Sequence, residues 1–84
     1  MSRVGRLFTL YGRASCPLCD DMADTVRPAI EAAGHRLLAV DVDADPALKA
    51  RFGWDVPLLF EGEAEICRHF ADLAALAERL AASP

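Results

Sequence analysis

No run of apolar residues in this 84-residue chain approaches the roughly 20 that a membrane-spanning helix needs. Its first residues also lack the basic-then-apolar order of a secretory signal. Basic charge is scarce. Nine Lys and Arg stand against 13 Asp and Glu, for a net charge of −4, which leaves no electrostatic footprint for DNA or RNA. These absences argue against a membrane or nucleic-acid partner, and we expect a cytoplasmic protein. Only three cysteines are present. In a compartment that keeps thiols reduced, three cysteines in a short chain point to catalysis or metal binding rather than a structural disulfide framework. Length implies a single domain over residues 1–84, expected to be a monomer, burying about 60 to 65 per cent of the surface its unfolded form exposes.

What the chain does have is the stretch Arg13-Ala14-Ser15-Cys16-Pro17-Leu18-Cys19, which follows an apolar run and opens a helical pattern. A cysteine at the start of a helix faces free backbone N–H groups and the positive end of the dipole. Its thiol pKa then falls below the usual value of about 8.5, and Arg13 adds a nearby cation. Cys16 is therefore the candidate nucleophile. Cys19, one helical turn on along the same face, is the candidate resolving thiol, placed to attack a mixed disulfide at Cys16. Pro17 suits the first helical turn, where its missing N–H has no helical partner. Asp20 and Asp21 act in the opposite sense, because negative charge near Cys16 raises its pKa.

The rest of the chain frames this motif. Residues 7–11 are apolar and β-favouring, as in a central strand covered on both faces, and Gly12 ends the run. Met22, Ala23, Val26, Ile30 and Ala33 recur at helical spacing over 17–33, with Gly34 as a stop. Pro28 is expected to kink or divide this helix. Residues 37–42 form a second strand, paired parallel to the first by a right-handed crossover. Asp45-Pro46 caps a short helix that Gly53 closes. A third strand covers 56–60 and a fourth, 64–67, lies at an edge. Asp72 caps a last helix with Leu73, Leu76, Ala77 and Leu80 in one apolar stripe. The order is βαβαββα.

The segment from Leu10 to Cys19 resembles the active-site motif of glutaredoxins, and Gly53-Trp54-Asp55-Val56-Pro57-Leu58-Leu59-Phe60 resembles their second motif. The resemblance implies an α/β thioredoxin-like fold with a four-stranded mixed sheet and flanking helices. It implies a thiol-disulfide oxidoreductase that acts on protein or small-molecule disulfides. It also makes Pro57 a cis-proline opposite the cysteine pair, gives the Val56 backbone to an extended thiol substrate, and places Arg13 beside the nucleophile and a glutathione carboxylate. Trp54 becomes a candidate substrate-contacting aromatic, with a place on the core as its alternative. Three departures stand out: Leu18 replaces the usual Tyr, Asp55 the usual Thr, and Glu65-Ile66-Cys67-Arg68-His69-Phe70 the Gly-Gly pair and acidic residue that hold glutathione. Glutathione thus stays a candidate co-substrate, and no other cofactor is expected.

Two other classes stay open. Cys16, Cys19, Cys67 and His69 supply the donor set of a zinc or iron–sulfur module, if the fold makes them converge. A redox-silent interaction domain of the same fold is the other. Taken singly, Cys67 reads as a small buried apolar residue, His35 as a solvated loop residue and His69 as structural. Glu61, Glu63 and Glu65 read as a solvated face.

Overall fold

The side chains of residues 7–12 alternate between two faces, and each face finds its own cover. In the computed structural model, which describes residues 5–82, this stretch is strand β1 (Leu7–Gly12), followed by α1 (Pro17–Ala32), β2 (Arg36–Asp41), α2 (Pro46–Phe52), β3 (Leu58–Glu61), β4 (Ala64–Arg68) and α3 (Leu73–Ala81). The sheet order is β2-β1-β3-β4. β1 pairs parallel with β2 and antiparallel with β3, and β3 pairs antiparallel with β4. The expected βαβαββα order and mixed four-stranded sheet are present.

Phe8 and Leu10 of β1 pack with Met22, Val26 and Ile30 of α1, Leu59 of β3 and Leu76 of α3. Across the sheet, Leu58, Phe60, Val42 and Phe52 form a second cluster against which Tyr11 and Val56 pack. Fully burying each such side chain contributes about 1.5–3 kcal/mol. Because β1 is central, both of its faces are covered, although Leu7 at its start is 41% exposed.

Several elements depart from the sequence pattern for local reasons. α1 runs through Pro28 as one helix. Pro28 lies on its exposed face, where water can meet the carbonyl that loses its donor. Ala33 is exposed, and the helix closes where Gly34, at φ +86°, lets the His35 N–H reach the Ile30 carbonyl at 3.1 Å. β2 ends at Asp41 rather than Val42, because the Asp41 carboxylate accepts the Asp43 N–H at 2.9 Å and turns 42–44 into a 3-10 helix. β3 starts at Leu58, two residues later than expected, since the Val56–Pro57 peptide is cis and Pro57 has no N–H for a ladder. In α3, Leu76 is buried but Leu73 is 51% exposed and Ala77 is exposed, so the apolar contact narrows to Leu76 and Leu80.

Residues 1–4 lie outside the described part, but Arg6 is integral to the fold. Its guanidinium donates to both oxygens of Glu61, at 2.7 and 2.8 Å, and to the carbonyls of Arg79, Leu80 and Ala82 at the end of α3. Arg79 donates to Glu61 at 2.6 Å. Glu61 therefore belongs to a largely buried ion-pair network rather than a solvated face, while Glu65 pairs with Arg68. His35 is likewise not a free loop residue: its Nδ1 accepts the Arg6 N–H at 2.9 Å.

Candidate active site

Cys16 is the N-cap of α1, and its Sγ accepts the Cys19 N–H at 3.2 Å. The turn before it is tight, with Ser15 held at φ +56°, a left-handed conformation that a non-glycine residue keeps only when its surroundings enforce it. Cys16 and Cys19 are joined in a disulfide with 5.2 Å between their Cα atoms. The two sulfurs are unequal in access: Cys16 is half-buried, whereas Cys19 is 5% exposed. That asymmetry allows an outside molecule to approach the first and not the second.

Gly12, at the end of β1, is what lets Cys19 sit so close to the sheet. A Cβ at position 12 would lie 3.0 Å from Cys19 Sγ and 3.2 Å from its Cβ. Gly12→Ala is expected to displace Cys19 by a few tenths of an ångström and lower stability by about 1 kcal/mol. Thermal unfolding of the oxidised protein checks this, and an unchanged midpoint would show that the helix start yields freely.

The antiparallel register pairs Tyr11 with Leu58, which brings the buried Pro57 and its cis peptide to the strand end that Gly12 occupies. Val56 is half-buried against the second core cluster. The Pro57 carbonyl accepts the His69 N–H at 2.7 Å, joining this corner to the end of β4. Asp55 faces Arg68 and His69, at 3.3 and 3.6 Å. Trp54 is 96% exposed, which excludes the core placement weighed for it.

Arg13 reaches across the chain. Its Nε and one terminal nitrogen donate to the two oxygens of Asp43 at 3.1 and 3.0 Å, and its third nitrogen donates to the Gly53 carbonyl at 3.0 Å. The pair holds the Asp43 carboxyl below, and the Arg13 guanidinium above, their ordinary values. Nothing local in the sequence marked Asp43, which lies 30 residues from its partner.

The four metal-donor residues weighed from the sequence do not come together. A bulge at Leu59/Phe60 breaks the β3–β4 register. Cys67 packs half-buried against the first core cluster, where burial pushes its thiol pKa up. His69, at φ +70°, turns toward Asp55. Among the described residues, no three His, Cys, Asp or Glu side chains converge to hold a metal ion. Nor is any described helix long and apolar enough to cross a membrane.

A mixed four-stranded sheet in βαβαββα order, with a cysteine pair at the start of the first helix, defines the thioredoxin-like class. Within it, the chain belongs to the family of the Glutaredoxin-like domain (DUF836), which matches residues 7–81. No curated protein matches the sequence. Among solved structures, protein Ne2328 from Nitrosomonas europaea is similar, with a TM-score of 0.81 and 25% identity over 96% of this chain and 98% of that one. Protein XcR50 from X. campestris has a TM-score of 0.70 and 30% identity, covering 92% and 99% of the two chains. Thioredoxin 1 from Thermosipho africanus, at 21% identity and a TM-score of 0.57 over 88% and 85%, shares the fold alone. Family, fold and the Cys16–Cys19 pair together support a redox-type function.

Proposed function

We propose that the protein is a thiol-disulfide oxidoreductase in which Cys16 attacks the substrate and Cys19 resolves the intermediate. The observation that carries this reading is the unequal cysteine pair at the α1 N-terminus, with the half-buried, more accessible member as N-cap and the other buried. In the reduced protein, the helix dipole and the Cys19 N–H favour a thiolate on Cys16. That thiolate displaces one sulfur of a substrate disulfide, which leaves as a thiolate, and a mixed disulfide forms at Cys16. The Cys19 thiolate then attacks Cys16 Sγ and expels the second substrate sulfur. An intramolecular disulfide remains for an external thiol to reduce. The Val56 backbone before cis-Pro57 is the candidate surface for the extended substrate, and exposed Trp54 offers it an apolar face.

Mixing the reduced protein with bis(2-hydroxyethyl) disulfide, quenching in acid and measuring intact mass tests this. We expect loss of two hydrogens and no lasting adduct. An inert protein, or an adduct carried only by Cys67, would overturn the assignment.

A further inference from the structure

The surroundings of the cysteine pair carry a charge pattern that the exchange chemistry does not require. Beside Cys19 lies a groove of about 210 Å³ between α1, β1 and β2. Leu10, Ala23 and Val40 contribute apolar lining, and Asp20 and Asp41 bring carboxylates to it. β2 is an edge strand, so the groove opens at the side of the sheet. Arg13 also borders it, but its charge is already matched by the two-pronged contact with Asp43 and its third nitrogen is taken by the Gly53 carbonyl. Lys49 lies beyond Arg13, lining a separate cavity with Trp54 and Gly53, and its charge too acts on Asp43. Counting Arg13 and Lys49 against Asp20, Asp41 and Asp43, the five charged side chains in and next to this groove sum to −1.

We infer that the protein prefers disulfides carried by cationic segments, with a Lys or Arg of the substrate in the Asp20–Asp41 groove, and disfavours anionic disulfides such as oxidised glutathione. This deepens the proposed exchange reaction and rests on it. The groove suits a long basic side chain, whose methylene stem covers apolar surface while its charged head reaches the carboxylates. An anionic substrate would find Asp20 and Asp41 beside the cysteines and would have to compete with Asp43 for Arg13. In this scheme Asp43 sets specificity by keeping the nearest guanidinium occupied. Such fields act mainly on encounter and on the choice between partners.

Three small disulfides test the idea on the wild-type protein: the dication cystamine, neutral bis(2-hydroxyethyl) disulfide, and the dianion oxidised glutathione. Each rate is divided by the rate of dithiothreitol with the same disulfide, which removes intrinsic reactivity. We expect the order dication, neutral, dianion, with a spread of about tenfold at low ionic strength. It should contract as added salt shortens the Debye length from about 30 Å to about 8 Å.

Two variants locate the effect. Asp20→Asn/Asp41→Asn removes the groove charges, and the amide oxygen it places at position 41 can still accept the Asp43 N–H. Asp43→Asn frees Arg13. Each is expected to lower the cystamine-to-glutathione rate ratio by about two- to fivefold, the range that exposed ion pairs produce. Equal normalised rates, a preference for the dianion, or a ratio untouched by both variants would overturn the inference while leaving disulfide exchange intact. Failure of all three disulfides to react at Cys16 would instead overturn the exchange reaction itself.

Discussion

Cys16→Ser is expected to reduce disulfide exchange to the uncatalysed rate, a loss of about a thousandfold or more, because a serine hydroxyl stays protonated where a thiol ionises. The position favours a clean experiment. Cys16 is an N-cap whose side chain accepts the Cys19 N–H, and serine is among the best N-cap residues. The variant should therefore keep α1 and fold as the reduced wild type does, so that the lost rate reports chemistry and not structure. Cys19→Ser makes the complementary case. It retains the first attack but cannot expel the second substrate sulfur, so a mixed disulfide should accumulate at Cys16 and be visible as an intact-mass adduct. Turnover assays and mass spectra on the two variants, with thermal unfolding as the fold control, decide the matter. Full turnover by Cys16→Ser would rule out the assigned nucleophile, and equal behaviour of the two variants would remove the division of labour between the cysteines.

The second large effect lies away from the cysteines. Glu61 accepts from Arg6 and Arg79 at 2.6 to 2.8 Å, and its side chain is 14% exposed. The Arg6 guanidinium first, and that of Arg79 after it, bring its carboxyl down to about 2 from the ordinary 4.5. A carboxyl pKa lowered by folding stabilises the native state fully above the unfolded value. That contribution is lost as pH falls from about 5 toward 2, where the folded carboxyl takes up its proton. A shift of this size corresponds to an upper bound of about 3 kcal/mol, which solvent screening around the exposed side of Arg79 reduces to about 1 to 2 kcal/mol.

Glu61→Gln should lose that amount at neutral pH, lowering the midpoint of thermal unfolding by about 5 to 15 °C for a domain of this size. It should also flatten the acid slope between pH 5 and 2 relative to wild type. Asp43 and Glu65, whose pKa values are lowered by Arg13 and Arg68, contribute to the slope in both proteins, so the difference isolates Glu61. Parallel pH profiles for the two proteins would show that the network contributes nothing beyond packing. The same network shows why residue 6 cannot be trimmed as part of a loose end: Arg6 supplies donors to three carbonyls at the C-terminus of α3, groups that a helix leaves without partners.

Much of the molecule was legible before folding, because it depends on neighbours in the chain. The Cys16 cap, the Asp45-Pro46 and Asp72 caps, the α1 stripe of Met22, Val26 and Ile30, and the Gly34 stop are each set by residues within about one turn of one another. They appear in the structure where the spacing put them. The element order followed from these, and the resemblance to glutaredoxins supplied the thioredoxin-like arrangement that the family match shows. The sequence by itself thus determined the helices, the order of strands and which cysteines form the redox-type pair.

What it left open were pairings between charged residues far apart in the chain, since a charge can meet any opposite charge that the fold brings near. Glu61 read as solvated until Arg6, 55 residues away, closed on it. Arg13 read as a cation near Cys16, and its pairing with Asp43, 30 residues away, came only with the fold. Trp54 stood between core and surface because Trp is often only partly buried, and packing left it outside. Cys67 and His69, two residues apart, were both weighed as metal donors, yet Cys67 packs on the core while the left-handed turn at His69 faces that side chain toward Asp55. Those outcomes belong to the tertiary structure alone, because only closure of the sheet decides which distant groups share one place and which face water.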